Sequence, residues 1–252
     1  MTSNSHLRLL EEKAFLNTVY RTYRTEISPQ MRLMQELTVK TFAPYIKGGE
    51  ALEMGCSDGF MTEMLSGLVD QLDVVDGSSN FVEQARRRSL PNVEFIHSLF
   101  EEFKPSKAYD YVFASYILEH VLEPVEVLRV AHASLKPGGA LFVVVPNARA
   151  FSRQMALHMG LLKDLKELTK NDHSHGHRRV YDRVTLNRDL QAAGFETINQ
   201  GGLQFKILAD FQLDELIANG TLKKDHLEAL YSLGLEYPDF CGSIFSICRK
   251  AQ

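Results

Sequence analysis

The residues best suited to chemistry lie in the stretch Glu50-Ala51-Leu52-Glu53-Met54-Gly55-Cys56-Ser57-Asp58-Gly59-Phe60. A short apolar strand leads into a tight turn, and a helix is expected to begin near Asp58. Glycine at 55 and 59 lets backbone run close to a ligand, and the free N–H groups of a helix start suit polar ligand atoms. The spacing is not that of the dinucleotide G-x-G-x-x-G turn. Glu53, two residues before the first glycine, would repel a pyrophosphate but suits a cationic ligand. Asp76 stands about 20 residues beyond the turn, where an acid can accept both hydroxyl protons of a ribose.

These groups need a scaffold, and the surrounding pattern alternates strands with helices. Gln71-Leu72-Asp73-Val74-Val75-Asp76 reads as the second strand, with Asp76 at its end, and Gly77-Ser78-Ser79-Asn80 caps the helix that follows. Val93-Glu94-Phe95-Ile96 is a third strand, and Tyr109 to Ser115 is a fourth. The fourth is so continuously apolar that both of its faces must be covered. Ala140 to Asn147 is a fifth, ending in Pro-Asn. Ahead of the first strand, residues 7–45 carry helical spacing broken at Ser28-Pro29, where proline suits a first turn. Beyond the fifth strand an apolar helix is expected over 155–168. It is followed by the stretch 171–181 with His173, His175 and His177, a helix over 182–193, a strand from Phe195, two helices within 210–233 and a closing strand over 242–250.

Composition narrows the classes. With 44% hydrophobic residues and 24% charged, the chain can bury a full core, and its net charge of −4 lacks the footprint of a nucleic-acid binder. Three cysteines, Cys56, Cys241 and Cys248, fall at no metal spacing and fit a reducing cytoplasm. No apolar run approaches the roughly 20 residues that span a bilayer. A soluble cytoplasmic protein, monomer or homodimer, without nucleic-acid or membrane partners is expected. The alternating histidines would share one face of an extended segment, but without cysteines or a carboxylate partner beside them no metal site is expected.

The glycine turn, Leu118-Glu119-His120-Val121, Leu135-Lys136-Pro137-Gly138-Gly139 and Val145-Pro146-Asn147 together resemble the class I S-adenosylmethionine-dependent methyltransferases, in the small-molecule branch that serves ubiquinone and secondary metabolism. The resemblance runs from Glu50 to Asn147. It implies an α/β, Rossmann-like fold: a seven-stranded, mostly parallel sheet with an antiparallel last strand, to which the helical spacing adds N-terminal helices that form either an extra layer of core or a lid over the ligand, and helical insertions after strands 5 and 6. One domain would comprise the lid (1–45), the cofactor core (46–146), an acceptor-side insertion (147–180) and a C-terminal half (181–252) with its own insertion near 210–233. S-adenosylmethionine, leaving as S-adenosylhomocysteine, would be lined by Glu53, Gly55, Cys56, Ser57, Gly59, Asp76, Gly77, Ser78, Ser98, Leu99, Phe100 and Ser115.

Relatives usually carry an acid where Ser98 stands, which moves the expected adenine contact toward backbone of Leu99 and Phe100. The fourth strand lacks an Asn-Pro-Pro-Tyr ending, against the methylases of glutamine and of DNA bases. The acceptor is then a small molecule, methylated on oxygen or nitrogen and held by Tyr20, Tyr23, Arg24, Tyr116, Asn147, His175, Arg179 and Tyr181. His177 is expected as base or orienting group, with His120 as the second candidate, because histidine titrates near working pH. The rivals are a silent S-adenosylmethionine-binding regulatory module and an NAD-dependent dehydrogenase. Asp76 is expected to be surface-facing, with little packing to lose.

Overall fold

The structure is a computed structural model that describes residues 11–16, 18–22 and 28–251. Its frame is one seven-stranded sheet in the order β3-β2-β1-β4-β5-β7-β6. The strands are β1 (Glu50–Met54), β2 (Gln71–Asp76), β3 (Val93–His97), β4 (Tyr109–Ser115), β5 (Leu135–Pro146), β6 (Phe195–Phe205) and β7 (Cys241–Lys250). β1 to β5 run parallel, and β7 lies antiparallel between β5 and β6, as the mostly parallel sheet with an antiparallel last strand required. The chain winds outward from β1 to β3, then returns to start again at β4. The crevice between β1 and β4 is therefore the switch point at which open α/β sheets bind ligands.

Both faces of the central strands are buried, and the two-residue period of a strand divides their side chains between two cores. Leu141, Val143 and Val145 of β5 join the core beneath α5 (Pro124–Ser134) and α8 (Arg183–Ala192). Phe142 and Val144 face the other way, toward α2 (Pro29–Phe42), α3 (Phe60–Ser66) and α4 (Ser79–Arg86). Phe42, fully buried, stacks with Phe113 and packs at a tilt against Phe142, at centroid distances of 6.5 and 5.0 Å. Truncating such a ring to alanine costs about 3–5 kcal/mol. α2 starts where the sequence indicates: the Ser28 hydroxyl accepts the Met31 N–H and proline opens the first turn. Helical residues 11–16 and 18–22 (α1) precede it.

Three local expectations are corrected. α3 begins at Phe60, not near Asp58, because Gly59 caps it in the left-handed region at φ 78°. β5 begins at Leu135, so the Lys-Pro-Gly-Gly stretch is part of the strand rather than a stop before it. The apolar helix of 155–168 is instead α6 (Phe151–His158), and Gly160 turns the chain at φ 73°. The irregular stretch that follows is held by Arg153, which donates to the carbonyls of Leu165 and Glu167 at 3.1 and 2.5 Å. The polar run after it forms the short helix α7 (Lys170–Ser174), capped reciprocally by Thr169 and Asp172. The histidines therefore do not alternate along an extended segment. Two further helices, α9 (Asp210–Ala218) and α10 (Lys224–Glu236), connect β6 to β7.

Candidate active site

A cavity of about 900 Å³ opens at the carboxyl edge of the sheet, over the β1–β4 crevice. Its floor is made by the loops after β1, β2, β3 and β4. Phe15, Leu16 and Val19 of α1, Met31 and Met34 of α2, and Leu161 and Leu162 beyond α6 form apolar walls. Among the described residues, six buried side-chain oxygens lack a hydrogen-bond partner, and four of them are on this wall: both carboxylate oxygens of Glu53, Ser115 Oγ and Glu119 Oε2. A buried oxygen without a partner costs about 1–3 kcal/mol, so their concentration here marks a surface shaped for a polar ligand.

At one end lies the glycine turn. Gly55 sits at φ 87°, and a Cβ there would come within 2.6 Å of Ile117 Cγ2. Asp76 is 6% exposed, not surface-facing, and it organises the turn: its oxygens accept the N–H groups of Cys56 at 2.9 Å and Ser78 at 2.8 Å. The Cys56 thiol also points at Oδ2, at 3.6 Å, so of the roughly four acceptor positions of a carboxylate a ribose would take what remains in competition with that weak donor. Glu53 is 1% exposed, and burial, with a smaller contribution from the Asp76 charge, pushes its carboxyl up to about 8. Only the nearby Thr62 hydroxyl works the other way. A cation brought against Glu53 would restore its ionised form. These residues fit S-adenosylmethionine, whose ribose, ammonium and sulfonium need an acceptor pair and an anion.

At the other end three groups converge: Glu119 and His120, just past β4, and His177, from the insertion. His120 and His177 meet edge to face with ring centroids 4.8 Å apart. His177 Nδ1 lies 3.0 Å from Asp172 Oδ1. Burial works against ionised Asp172, but His177 and the hydroxyl and N–H of Thr169 overcome it and hold that carboxyl well below its ordinary range. Burial raises Glu119 to about 7, with His177 and Arg179 pulling the other way. Burial and the neighbouring histidines push His120 down to about 3. The insertion is locked to the β4 loop by Arg178, whose N–H donates to the Glu119 carbonyl at 2.8 Å and whose Nε donates to the His120 carbonyl at 2.6 Å. Arg178 also reaches Glu12 at 2.8 Å and stacks over Phe15, which ties α1 across the cavity.

The cavity wall takes in Glu53, Gly55, Cys56, Ser57, Asp76, Gly77, Leu99, Phe100, Ser115, Tyr116, His120, Asn147, His175 and His177. The other predicted site residues serve elsewhere. Gly59 makes room for α4, since a Cβ there would meet Ala85 at 2.9 Å. Ser78 caps α4, and the Ser98 hydroxyl turns back to the Leu99 carbonyl. Tyr20 packs edge-on against Phe81. Arg179 clamps the β4 loop through the carbonyls of Leu118, Val121 and Leu122, and Tyr181, buried, donates to Asp189 at 3.1 Å. Asn147 touches the cavity, but its amide nitrogen is spent on the carbonyls of Asp239 and Cys241. Tyr23 and Arg24 lie outside the described residues. Glu119 and Asp172 were given no role by the sequence. The only signal for Glu119 is its place beside His120, and for Asp172 its position three residues after Thr169.

The strand order and a cavity at the switch point define a Rossmann-like class of folds. A family model described as a methyltransferase domain matches residues 21–200, and the chain belongs to that family. A ubiquinone biosynthesis O-methyltransferase of Methylocella silvestris is 26% identical over 195 residues, 75% of each chain. Its counterpart from Xanthomonas campestris pv. campestris is 31% identical over 109 residues, which cover 40% of this chain. The chain spans only 45% of that relative's length. Among solved structures, the N-methyltransferase NodS from Bradyrhizobium japonicum, in complex with S-adenosyl-L-homocysteine, shares the fold with a TM-score of 0.61 at 12% identity, over 94% of this chain and 98% of that one. No helix among the described residues is long and apolar enough to cross a membrane.

Proposed function

We propose that this protein is an S-adenosylmethionine-dependent methyltransferase, one domain acting on an oxygen or nitrogen of a small aromatic or secondary-metabolite acceptor. The observation that carries the reading is a single cavity with the Glu53, Gly55 and Asp76 group at one end and Glu119, His120 and His177 at the other. When bound, S-adenosylmethionine supplies a methyl group on a sulfonium, a leaving group already activated. The protein's own work is then alignment and exclusion of water, which together are worth on the order of 7–11 kcal/mol. Asp76 accepts ribose hydroxyls, Glu53 offsets the cationic end, and Leu99 and Phe100 cover the base. Phe15, Val19, Met31 and Met34 keep the acceptor end dry. His177, held in one orientation by Asp172, accepts or orients the acceptor's proton, with His120 and Glu119 beside it.

A hydroxyl acceptor fits this end better than an amine, because only a hydroxyl must lose its proton before it becomes a good nucleophile. An NAD-dependent dehydrogenase is disfavoured by the same geometry, since the pyrophosphate would lie against the buried Glu53 carboxyl. Two measurements test the proposal: a calorimetric titration with S-adenosylhomocysteine beside NAD, and transfer of labelled methyl to a panel of phenols, catechols and amines. Saturable S-adenosylhomocysteine binding with transfer to a phenol or catechol is the expected result. Binding without transfer to any acceptor would favour the regulatory-module reading, and preference for NAD would sink the proposal.

A further inference from the structure

We propose that Glu119, His120 and His177 form a binding site for a divalent first-row transition-metal ion, with its remaining coordination positions open to the acceptor end of the cavity. Each residue offers one ligand atom, and these atoms lie within 4.8 Å of one another. Two imidazoles and one carboxylate on one side of an ion are the facial set that leaves positions open for a substrate. Glu119 Oε2 is buried and has no hydrogen-bond partner, although the residue is only 1% exposed. Such an oxygen waits for either a proton donor or a cation.

The outer contacts are those a metal site needs. A metal-bound histidine characteristically donates its other ring N–H to a carboxylate or a backbone carbonyl, which fixes the tautomer. His177 Nδ1 faces Asp172 at 3.0 Å, which leaves Nε2 as the nitrogen with the lone pair. Asp172 is itself held by Thr169 at 2.7 Å and by Arg153 at 3.3 Å. His120 has a backbone hydrogen bond to Gly176. The two segments that carry the ligands are joined by the bond from Arg178 N–H to the Glu119 carbonyl, so the set sits in one frame. Bonds of about 2.0–2.2 Å to nitrogen and oxygen would require the ligand atoms to close by roughly 1 Å, within reach of side-chain rotation. With no sulfur in the set, zinc, manganese or iron(II) is the class of ion that fits; magnesium, which prefers oxygen alone, does not.

The ion's role rests on the methyl-transfer reading, whereas the site itself does not. With the ion bound, His177 serves as a ligand in place of its role as base, and an acceptor hydroxyl in an open position would lose its proton to a water at the mouth of the cavity, the O–H bond breaking while the oxygen keeps the electron pair against the positive charge. That oxygen would then form the bond to the methyl carbon as the carbon–sulfur bond breaks, leaving a neutral thioether. The acceptor class that follows is a phenol or enol, best with a second oxygen adjacent.

The test uses the full chain. Metal-stripped protein is titrated with zinc and separately with cobalt(II), whose visible absorption reports its ligand geometry, and S-adenosylhomocysteine affinity is measured on the same preparations. One ion per chain is expected. Glu119→Gln and His177→Gln should each weaken it by at least tenfold. Asp172→Asn, which keeps the side chain's shape but weakens its contacts to His177, Thr169 and Arg153, should weaken it about 10- to 100-fold. S-adenosylhomocysteine affinity should stay near the wild-type value in all three, which also certifies that each variant is folded. Absence of saturable binding in the wild type, or equal binding in the folded variants, would overturn the site while leaving the methyl-transfer proposal standing. Metal binding without S-adenosylhomocysteine binding would do the reverse.

Discussion

Replacing Glu53 by glutamine keeps the shape of the side chain and removes one ionisation, so its effects follow directly from burial. In the free protein burial lifts this carboxyl from 4.5 to about 8. A group whose folded value is raised contributes stability that is present below its unfolded value and lost as pH rises through the folded one. Between about pH 4.5 and pH 8 the folded state should therefore lose roughly 1.4 kcal/mol per pH unit from this group, approaching 5 kcal/mol as an upper bound. Glu53→Gln should lack that slope in urea denaturation across this range.

Binding should show the opposite face of the same ionisation. Near pH 7 about 0.9 of a proton resides on Glu53, and docking an ammonium against it should release most of that proton, a count obtained by calorimetry in buffers of different ionisation heat. A charge-assisted contact of about 3 kcal/mol, less about 1.4 kcal/mol to ionise Glu53 at pH 7, leaves a net loss of about tenfold in S-adenosylhomocysteine affinity for the variant. The loss should widen toward 100-fold near pH 9, where ionisation costs nothing. Identical proton release and affinity in wild type and variant would refute the placement of a cation at Glu53.

Gly55→Val should abolish S-adenosylhomocysteine binding in a calorimetric titration, because its Cβ would fall 2.6 Å from Ile117 at a φ that branched residues resist. Asp76→Ala should lower S-adenosylhomocysteine affinity about 10- to 100-fold, a loss of roughly 1.5–3 kcal/mol. It should also reduce unfolding free energy by about 1–3 kcal/mol, because the N–H groups of Cys56 and Ser78 lose their acceptor. Arg179→Met should destabilise the fold by about 2–4 kcal/mol, measured by urea denaturation, while changing the acceptor KM less than twofold, because its guanidinium serves carbonyls rather than the cavity.

Much of the cofactor end was legible without coordinates because it is local. The turn from β1, the acid closing β2 and the cap of α4 are set by glycine conformation, strand period and serine capping within a few residues of one another. The parallel sheet was legible for a related reason, since strands buried on both faces must be apolar throughout. What only the tertiary structure decided is which distant groups meet. Arg179 and Tyr181 carry the polar tips of ligand-binding residues, yet one clamps the carbonyls after β4 and the other is sealed against Asp189. Gly59 resembles a ligand glycine but serves the packing of α4. His177 is one of three histidines in a polar run, and sequence spacing put all three on one face. The Thr169 cap winds 170–174 into a helix instead, which sets His177 against His120 and Glu119 with His175 behind it, its ring 6.3 Å from that of His177. Burial, the force that sets the ionisation of Glu53, Glu119 and His120, depends on every segment that covers the cavity, and no local pattern in a chain records that sum.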